Sequence, residues 1–174
     1  MVKRCIMIFP EFSNMNIIDD IRDKYDPLSH HVRPHITLIF PFESEISKSE
    51  LKAHLEGILS EVKPFKISLQ GIIPVRTFGN HLFLDITKGK DEIINIYKSL
   101  YTGILEPFHP EWLKTVDYYP HMTVGNLPTE EEYSFAIEDV ADIDDIFDSN
   151  VEKISVDIIV ENEDSLLEMD ILLI

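Results

Sequence analysis

Two short segments of nearly the same sequence decide the fold of this 174-residue chain: Pro34-His35-Ile36-Thr37-Leu38 and Pro120-His121-Met122-Thr123-Val124. Each holds a histidine and a threonine two positions apart, among apolar residues typical of a β-strand. Side chains two positions apart lie on the same face of a strand, so each segment presents an imidazole and a hydroxyl together. The sequence therefore predicts two strands that carry the same pair of functional groups.

The segments that follow the two motifs repeat in the same order. Ser47 and Thr129 each begin a capping box, with a glutamate three positions later, which predicts a helix after each histidine–threonine strand. Further strands are predicted at residues 65–75, 82–86, 154–160 and 166–174. The order strand, helix, strand, strand therefore occurs twice, once from Pro34 and once from Pro120.

This repeat predicts an α+β fold that is bilobal, with two antiparallel sheets and flanking helices related by a pseudo-twofold axis around a central cleft. The two histidine–threonine strands would face each other in that cleft. No low-complexity linker divides the chain, so we expect a single bilobal domain over residues 1–174, with repeat halves beginning near residues 34 and 120. The acidic segment 139–148 is interpreted as a short helix or loop with a solvated face.

The composition favours a globular protein that binds something small. Hydrophobic residues make up 44% of the chain, and no apolar run approaches the roughly 20 residues of a membrane span. We expect a cytoplasmic monomer with no membrane partner. The formal net charge is −17, from 15 Lys and Arg against 32 Asp and Glu. Because Lys and Arg supply much of the affinity for long nucleic acids, we expect no long nucleic-acid groove.

Metal and cofactor chemistry finds little support in the sequence. The one cysteine, Cys5, lies in an apolar segment and is predicted to be a buried strand residue, which leaves no set of cysteines for a structural zinc site. His30 and His31 are adjacent, and neighbours on an extended segment point in opposite directions. The chain contains no glycine-rich motif of a nucleotide hydrolase or of a dinucleotide-binding fold. We therefore expect no metal and no cofactor.

Two imidazoles and two hydroxyls suit the cleavage of a phosphodiester. Histidine has an ordinary pKa near ~6.5, so one ring can take a proton from the attacking oxygen while the other gives a proton to the leaving oxygen. Threonine hydroxyls can donate hydrogen bonds to the non-bridging oxygens, where negative charge grows in the transition state. One His-x-Thr triplet alone is usually structural, but two in the same context favour a catalytic pair.

With both motifs in place, the chain resembles the 2H phosphoesterase superfamily, which includes 2′-5′ RNA ligase-like proteins and cyclic phosphodiesterases and is defined by two His-x-Thr/Ser motifs. The segment Pro34–Phe42 looks especially like the first motif of the bacterial 2′-5′ RNA ligase-like branch. The resemblance implies metal-independent cleavage of 2′,3′-cyclic phosphates or related small phosphodiester or RNA-end substrates. It implies that His35 and His121 share the acid and base roles, in either order, and that Thr37 and Thr123 bind phosphate.

Three further residues are candidates for contact with the substrate: Tyr119, which could stack on a base, and Arg33 and Arg76, the cations nearest to the motifs. Trp112 is interpreted either as a lid over the cleft or as a packing anchor. Other functions stay open beside the phosphoesterase. They are a non-catalytic module that binds a nucleotide or phosphate ligand, an enzyme acting on a non-nucleotide phosphodiester, and 2′-5′ RNA ligase-like activity, which the negative charge disfavours.

Overall fold

Eight strands and four α-helices make up the fold in the computed structural model, which describes residues 1–174. The strands are β1 (Val2–Ile8), β2 (Ile36–Ser44), β3 (Phe65–Val75), β4 (Asn80–Lys88), β5 (His121–Leu127), β6 (Phe147–Val151), β7 (Lys153–Ile159) and β8 (Ser165–Leu172). The helices are α1 (Met15–Tyr25), α2 (Lys48–Leu59), α3 (Lys90–Leu100) and α4 (Glu130–Val140). Two short 3₁₀ helices, Gly103–Phe108 and Glu111–Lys114, lie between α3 and β5.

The two predicted helix caps are confirmed. The hydroxyl of Ser47 accepts a hydrogen bond from the backbone N–H of Glu50 at the start of α2, and Thr129 accepts one from Glu132 at the start of α4. Each cap satisfies a backbone donor that the first turn of a helix leaves without a partner. Both helices therefore begin directly after the predicted capping residue.

All strands pair antiparallel in one sheet of order β6-β3-β4-β5-β2-β1-β7-β8, which confirms the α+β fold class. The histidine–threonine strands β2 and β5 lie side by side in the middle and share a single register pair, Ile36 opposite Met122. The sheets that the sequence predicts as two are thus four-stranded halves of one sheet, joined at that pair. Both residues are fully buried, so apolar packing holds the junction.

A pseudo-twofold relation follows from the order of the elements. The unit β1-α1-β2-α2 matches β4-α3-β5-α4, and α1 packs against β5 as α3 packs against β2. The strand after α2, β3, pairs with β4, and β7 pairs with β1. Each repeat therefore gives a strand to the half that contains the histidine of the other repeat. The structural repeat also starts earlier than the motifs, at β1 and at β4.

The two faces of the sheet differ in chemistry because side chains alternate along each strand. One face packs under the helices and supplies a continuous apolar core, with buried residues such as Ile6, Leu38, Val124 and Val156. The opposite face carries the histidine and threonine of each motif. No helix combines the length and the apolar character that crossing a bilayer requires.

The prediction for the acidic segment 139–148 is wrong at its end. Phe147 is buried and opens the edge strand β6, which pairs with β3. Only Phe147 and Val151 of this five-residue strand are buried, and the residues between them are polar, so the sequence pattern resembles a loop.

The prediction for Cys5 is confirmed, since its thiol is buried on β1 and burial raises its pKa to about 12.

Candidate active site

Both motif histidines are held in the same way. Nδ1 of His35 donates a hydrogen bond to the carbonyl oxygen of Arg33 at 2.8 Å, and Nδ1 of His121 donates one to the carbonyl oxygen of Tyr119 at 2.6 Å. A carbonyl oxygen only accepts, so Nδ1 carries the hydrogen in each neutral ring. Nε2 is then left with its lone pair, ready to accept a proton. In each motif the residue two positions before the histidine sets this tautomer.

Burial lowers the pKa of both histidines. For His121 it lowers the pKa to about 4, against an opposing effect of the hydrogen bond to Tyr119, and the neighbouring His35 lowers it further. Burial also lowers the pKa of His35, while the carbonyl of Arg33 opposes this. Both rings are therefore neutral near pH 7 when the cleft is empty.

A cavity of about 710 Å³ brings together His121, Thr37 and Thr123 from the two central strands. In register, Thr37 lies opposite Met7 on β1, and Thr123 lies opposite Phe83 on β4. Each threonine therefore pairs with a strand of its own half of the sheet. The structure thus brings three of the four motif side chains to one cavity wall. His35 is partly exposed but is not among the residues that line the cavity.

Aromatic rings form much of the cavity wall. Phe83 stacks on the His121 imidazole, with ring centres 3.6 Å apart and planes 13° from parallel. Trp112 packs against Phe40 on β2 at 5.1 Å and against Phe78 in the β3–β4 turn at 5.0 Å. Trp112 is 41% exposed, so it is both a packing anchor and part of the cavity rim. The other lining residues are Ile73, Val75, Thr77, His81, Leu113, Val116, Asp117, Tyr118 and Tyr119.

The three candidate substrate contacts occupy different places. Tyr119 lines the cavity and is 44% exposed. Arg33 lies outside the cavity lining, with its guanidinium 4.1 Å above the ring of Phe9. Arg76 forms a two-pronged ion pair with Glu130, and it too lies outside the lining. Its guanidinium is thus paired with an exposed carboxylate in the free protein, and contact of Arg76 with substrate stays a prediction.

Several residues around His121 were not predicted from the sequence. Asp85 on β4 lies directly opposite His121 in register, and its carboxylate accepts hydrogen bonds from Tyr119 Oη and Lys90 Nζ. Phe83 precedes it by two positions and therefore shares its face of the strand. Alternation within residues 82–86 is visible in the sequence, but nothing there indicates that this strand pairs with the second motif.

No group of three or more histidine, cysteine, aspartate or glutamate side chains is arranged to hold a metal ion. The adjacent histidines His30 and His31 lie beside different carboxylates. His31 lies 2.8 Å from the carboxylate of Asp164, whereas His30 is largely exposed to solvent beside Asp23. The neighbourhood of the first motif therefore offers isolated histidine–carboxylate pairs.

A comparison with protein families places this geometry in a known context. A profile described as the 2′-5′ RNA ligase superfamily matches residues 9–159, which include both histidine–threonine motifs. The chain belongs to the 2′-5′ RNA ligase superfamily. This membership confirms the resemblance to the 2H phosphoesterases that the two motifs indicated.

Curated relatives of this superfamily member have low sequence identity to it but match most of its length. A Bacillus licheniformis protein named "Putative phosphoesterase" is 28% identical over 134 residues, which is 76% of each chain. A Geobacillus thermodenitrificans protein of the same name is 27% identical over 132 residues, covering 75% of this chain and 73% of its own. The shared region contains more than half of each protein.

Solved structures show the same fold. E. coli LigT in its apo form superposes with a TM-score of 0.62 at 13% identity, covering 99% of this chain and 97% of LigT. TT0787 of Thermus thermophilus superposes with a TM-score of 0.63, also at 13% identity, over 98% of this chain and 97% of its own. At such low identity the likeness shows the fold of this superfamily member alone.

Proposed function

We propose that this protein is a two-histidine phosphodiesterase that hydrolyses a 2′,3′-cyclic phosphate or a related small phosphodiester, including an RNA end, without a metal ion. The observation that carries the proposal is the matched pair of imidazoles. Each has Nδ1 bound to a backbone carbonyl and Nε2 free, and each lies two positions before a threonine of β2 or β5. His35 directly precedes β2, and His121 is the first residue of β5. Such a pair can supply both proton transfers of hydrolysis.

In the proposed reaction, one imidazole Nε2 accepts a proton from the attacking water as its oxygen bonds to phosphorus. The other imidazole, in its protonated form, gives a proton to the leaving oxygen as the opposite P–O bond breaks. Thr37 and Thr123 donate hydrogen bonds to the non-bridging oxygens, where charge develops. The free site holds two neutral rings, so the acid gains its proton when the negative phosphate enters and raises the pKa of the ring beside it.

The lining of the cavity suits a small substrate that has a flat organic group. Its wall is rich in aromatic rings and contains no lysine or arginine, so a single phosphate fits it better than a chain of phosphates. Bases stack favourably on exposed aromatic side chains, which here are Trp112 and Tyr119. LigT, which shares the fold, has been crystallised with 3′-AMP and with NADP+. We therefore place the nucleoside part of the substrate in this cavity.

The test is a turnover assay on EDTA-treated protein with 2′,3′-cyclic nucleotides, a 2′-5′ linked dinucleotide and a generic phosphodiester. We expect hydrolysis of at least one of them, with a bell-shaped pH dependence because one ring must be neutral and the other protonated. His35→Ala and His121→Ala should each lower kcat by roughly 10²–10⁴-fold. His30→Ala is the matched control, since His30 is exposed and lies outside the cavity.

The same protein also tests the alternative of a non-catalytic binding module. Trp112 is the one tryptophan of the chain and lies on the cavity wall, so a stacked base should change its fluorescence. Fluorescence titration by 3′-AMP without turnover of any substrate would favour the binding module. Neither binding nor turnover would refute both proposals. Loss of all activity on EDTA treatment would refute the metal-independent mechanism.

A further inference from the structure

A second layer of contacts surrounds the carbonyl that fixes the tautomer of His121. Tyr119 Oη donates a hydrogen bond to Oδ1 of Asp85 at 2.5 Å, and Lys90 Nζ donates to the same oxygen at 2.9 Å. The Lys90 ammonium also lies 4.5 Å from the centre of the Tyr119 ring. Asp85 and Lys90 are largely shielded from solvent, with side chains 23% and 31% exposed. Tyr119 is thus attached at its side chain as well as at its carbonyl.

We propose that Asp85, acting through Tyr119 and together with Lys90, is a positioning residue that holds His121 in its Nδ1–H tautomer. The catalytic consequence rests on the proposed phosphodiesterase function, whereas the effect on the imidazole does not. Asp85 does not line the cavity, so it acts on the ring without touching the substrate.

The carbonyl of Tyr119 needs an anchor, meaning side-chain contacts that hold it in place, because the backbone around it is irregular. Residues 117–120 belong to no helix or strand, so no ladder of backbone hydrogen bonds fixes the carbonyl of Tyr119. The side-chain contacts with Asp85 and Lys90 supply that restraint from the neighbouring strand β4 and the first residue of α3. Without it, the carbonyl can move away and Nε2 can take the hydrogen instead. A ring with its hydrogen on Nε2 has lost the lone pair needed to accept a proton there.

The other half of the sheet contains an anchor at the equivalent position, built from different residues. Arg33 precedes His35 by two positions, as Tyr119 precedes His121, and its guanidinium packs over Phe9 at 4.1 Å. Phe9 follows Ile8, which pairs with Ile36, so Phe9 lies level with His35 as Asp85 lies level with His121. In both halves, therefore, the residue that supplies the carbonyl is tied to the residue facing the histidine.

Charge keeps the anchor at His121 intact. Burial acts to raise the pKa of Asp85, but hydrogen bonds from Tyr119 and Lys90 and the charge of Lys90 outweigh it and lower the pKa. The carboxylate is therefore ionised at neutral pH, and an ionised acceptor makes a stronger hydrogen bond than a neutral one. Replacement of Asp85 by the isosteric Asn removes that charge and keeps the shape.

The experiment is long-range ¹H–¹⁵N NMR of the imidazoles in histidine-labelled protein at pH 7.5, where chemical shifts report which nitrogen carries the hydrogen. We expect His121 of the unaltered protein to be the Nδ1–H tautomer. In Asp85→Asn and in Tyr119→Phe we expect a mixture of tautomers at His121 and an unchanged His35. For Asp85→Asn, kcat should fall roughly tenfold to a hundredfold with KM nearly unchanged.

The chain offers a matched control for this substitution. Tyr25 Oη donates to Asp139 at 2.6 Å and Lys24 Nζ lies 3.2 Å from the same oxygen, so the same three residue types meet between α1 and α4, away from the cavity. Asp139→Asn should leave the His121 signals and kcat unchanged.

Each outcome decides the proposal. An Nδ1–H tautomer retained at His121 in Asp85→Asn overturns it, and so does an equal change in Asp139→Asn. If Asp85→Asn fails to fold, Tyr119→Phe decides by the same signals. If the unaltered protein turns over no substrate, the proposed function fails, while the NMR signals still show whether Asp85 positions the ring.

Discussion

At the scale of single residues, the two histidines share a hydrogen-bond pattern but have different surroundings. His121 stacks on Phe83 and lines the cavity, whereas the nearest ring to His35 is Phe9, tilted at 6.1 Å. The sequence predicts that both imidazoles share a face with a threonine, because that depends only on alternation along a strand. It does not predict the depressed pKa values, since these come from residues that other strands bring to the site.

The pKa of His121 predicts a pH dependence of stability. In the unfolded chain this residue takes up a proton below about pH 6.5, but in the folded protein only near pH 4. Between these values the unfolded state binds more protons, so the stabilising contribution is present above about pH 6.5 and is lost as the pH falls toward 4. The free energy of unfolding should fall by on the order of 3 kcal/mol from this residue.

Urea unfolding of the unaltered protein and of His121→Asn at pH 7.5 and at pH 4.5 measures this effect. The difference in unfolding free energy between the two proteins should shift in favour of His121→Asn at the lower pH. Groups that do not interact with His121 titrate alike in both proteins and cancel in the difference. An identical pH dependence would show that His121 is not buried as described.

At the scale of helices and strands, local signals predicted the elements well and their partners poorly. The capping boxes at Ser47 and Thr129 predict helix starts because each cap is made within four residues of chain. The hairpin of β3 and β4 is local, since a short turn at residues 76–79 joins the two strands, but the pairing of β1 with β7 is non-local and no local pattern reveals it. The aromatic wall of the cavity was missed for the same reason, since Phe78, Phe83 and Trp112 come from separate elements.

The helix caps allow a direct measurement of this local contribution. Ser47→Ala and Thr129→Ala should each lower the free energy of unfolding by about 1 kcal/mol, because each leaves a backbone N–H of the first turn without its side-chain acceptor. Thr129→Ser keeps the hydroxyl and should restore most of the loss. Equilibrium denaturation of the three variants tests this, and an alanine variant as stable as the unaltered protein would contradict the role of that cap.

At the scale of the whole molecule, the exchange of strands ties the two halves together. β3 follows the first motif but pairs beside the second, and β7 follows the second motif but pairs beside the first. One half, β6-β3-β4-β5, comes from residues 65–151. The other half takes β1 and β2 from one end of the chain and β7 and β8 from the other, so it cannot form until both ends meet. We therefore propose that residues 1–174 unfold as one cooperative unit, in keeping with the single domain that the sequence predicts.

Cooperative unfolding can be measured with probes from different parts of the chain. Far-UV circular dichroism reports on all helices and strands, and Trp112 fluorescence reports on the packing of this ring against Phe40 of β2 and against Phe78 beside β4. We expect both probes to give one transition with the same midpoint in guanidinium chloride. Two separate midpoints would show instead that the halves are independent.

The exchanged strands also show what one copy of the repeat lacks. A single copy of the repeat, with its one histidine and one threonine, would leave its last strand without a partner in the same chain. Two identical copies related by a twofold axis would complete each other's sheets and bring two histidines to a shared boundary. On this topology, a site with two histidines requires two copies of the repeat, because neither copy alone supplies both imidazoles or a partner for its last strand.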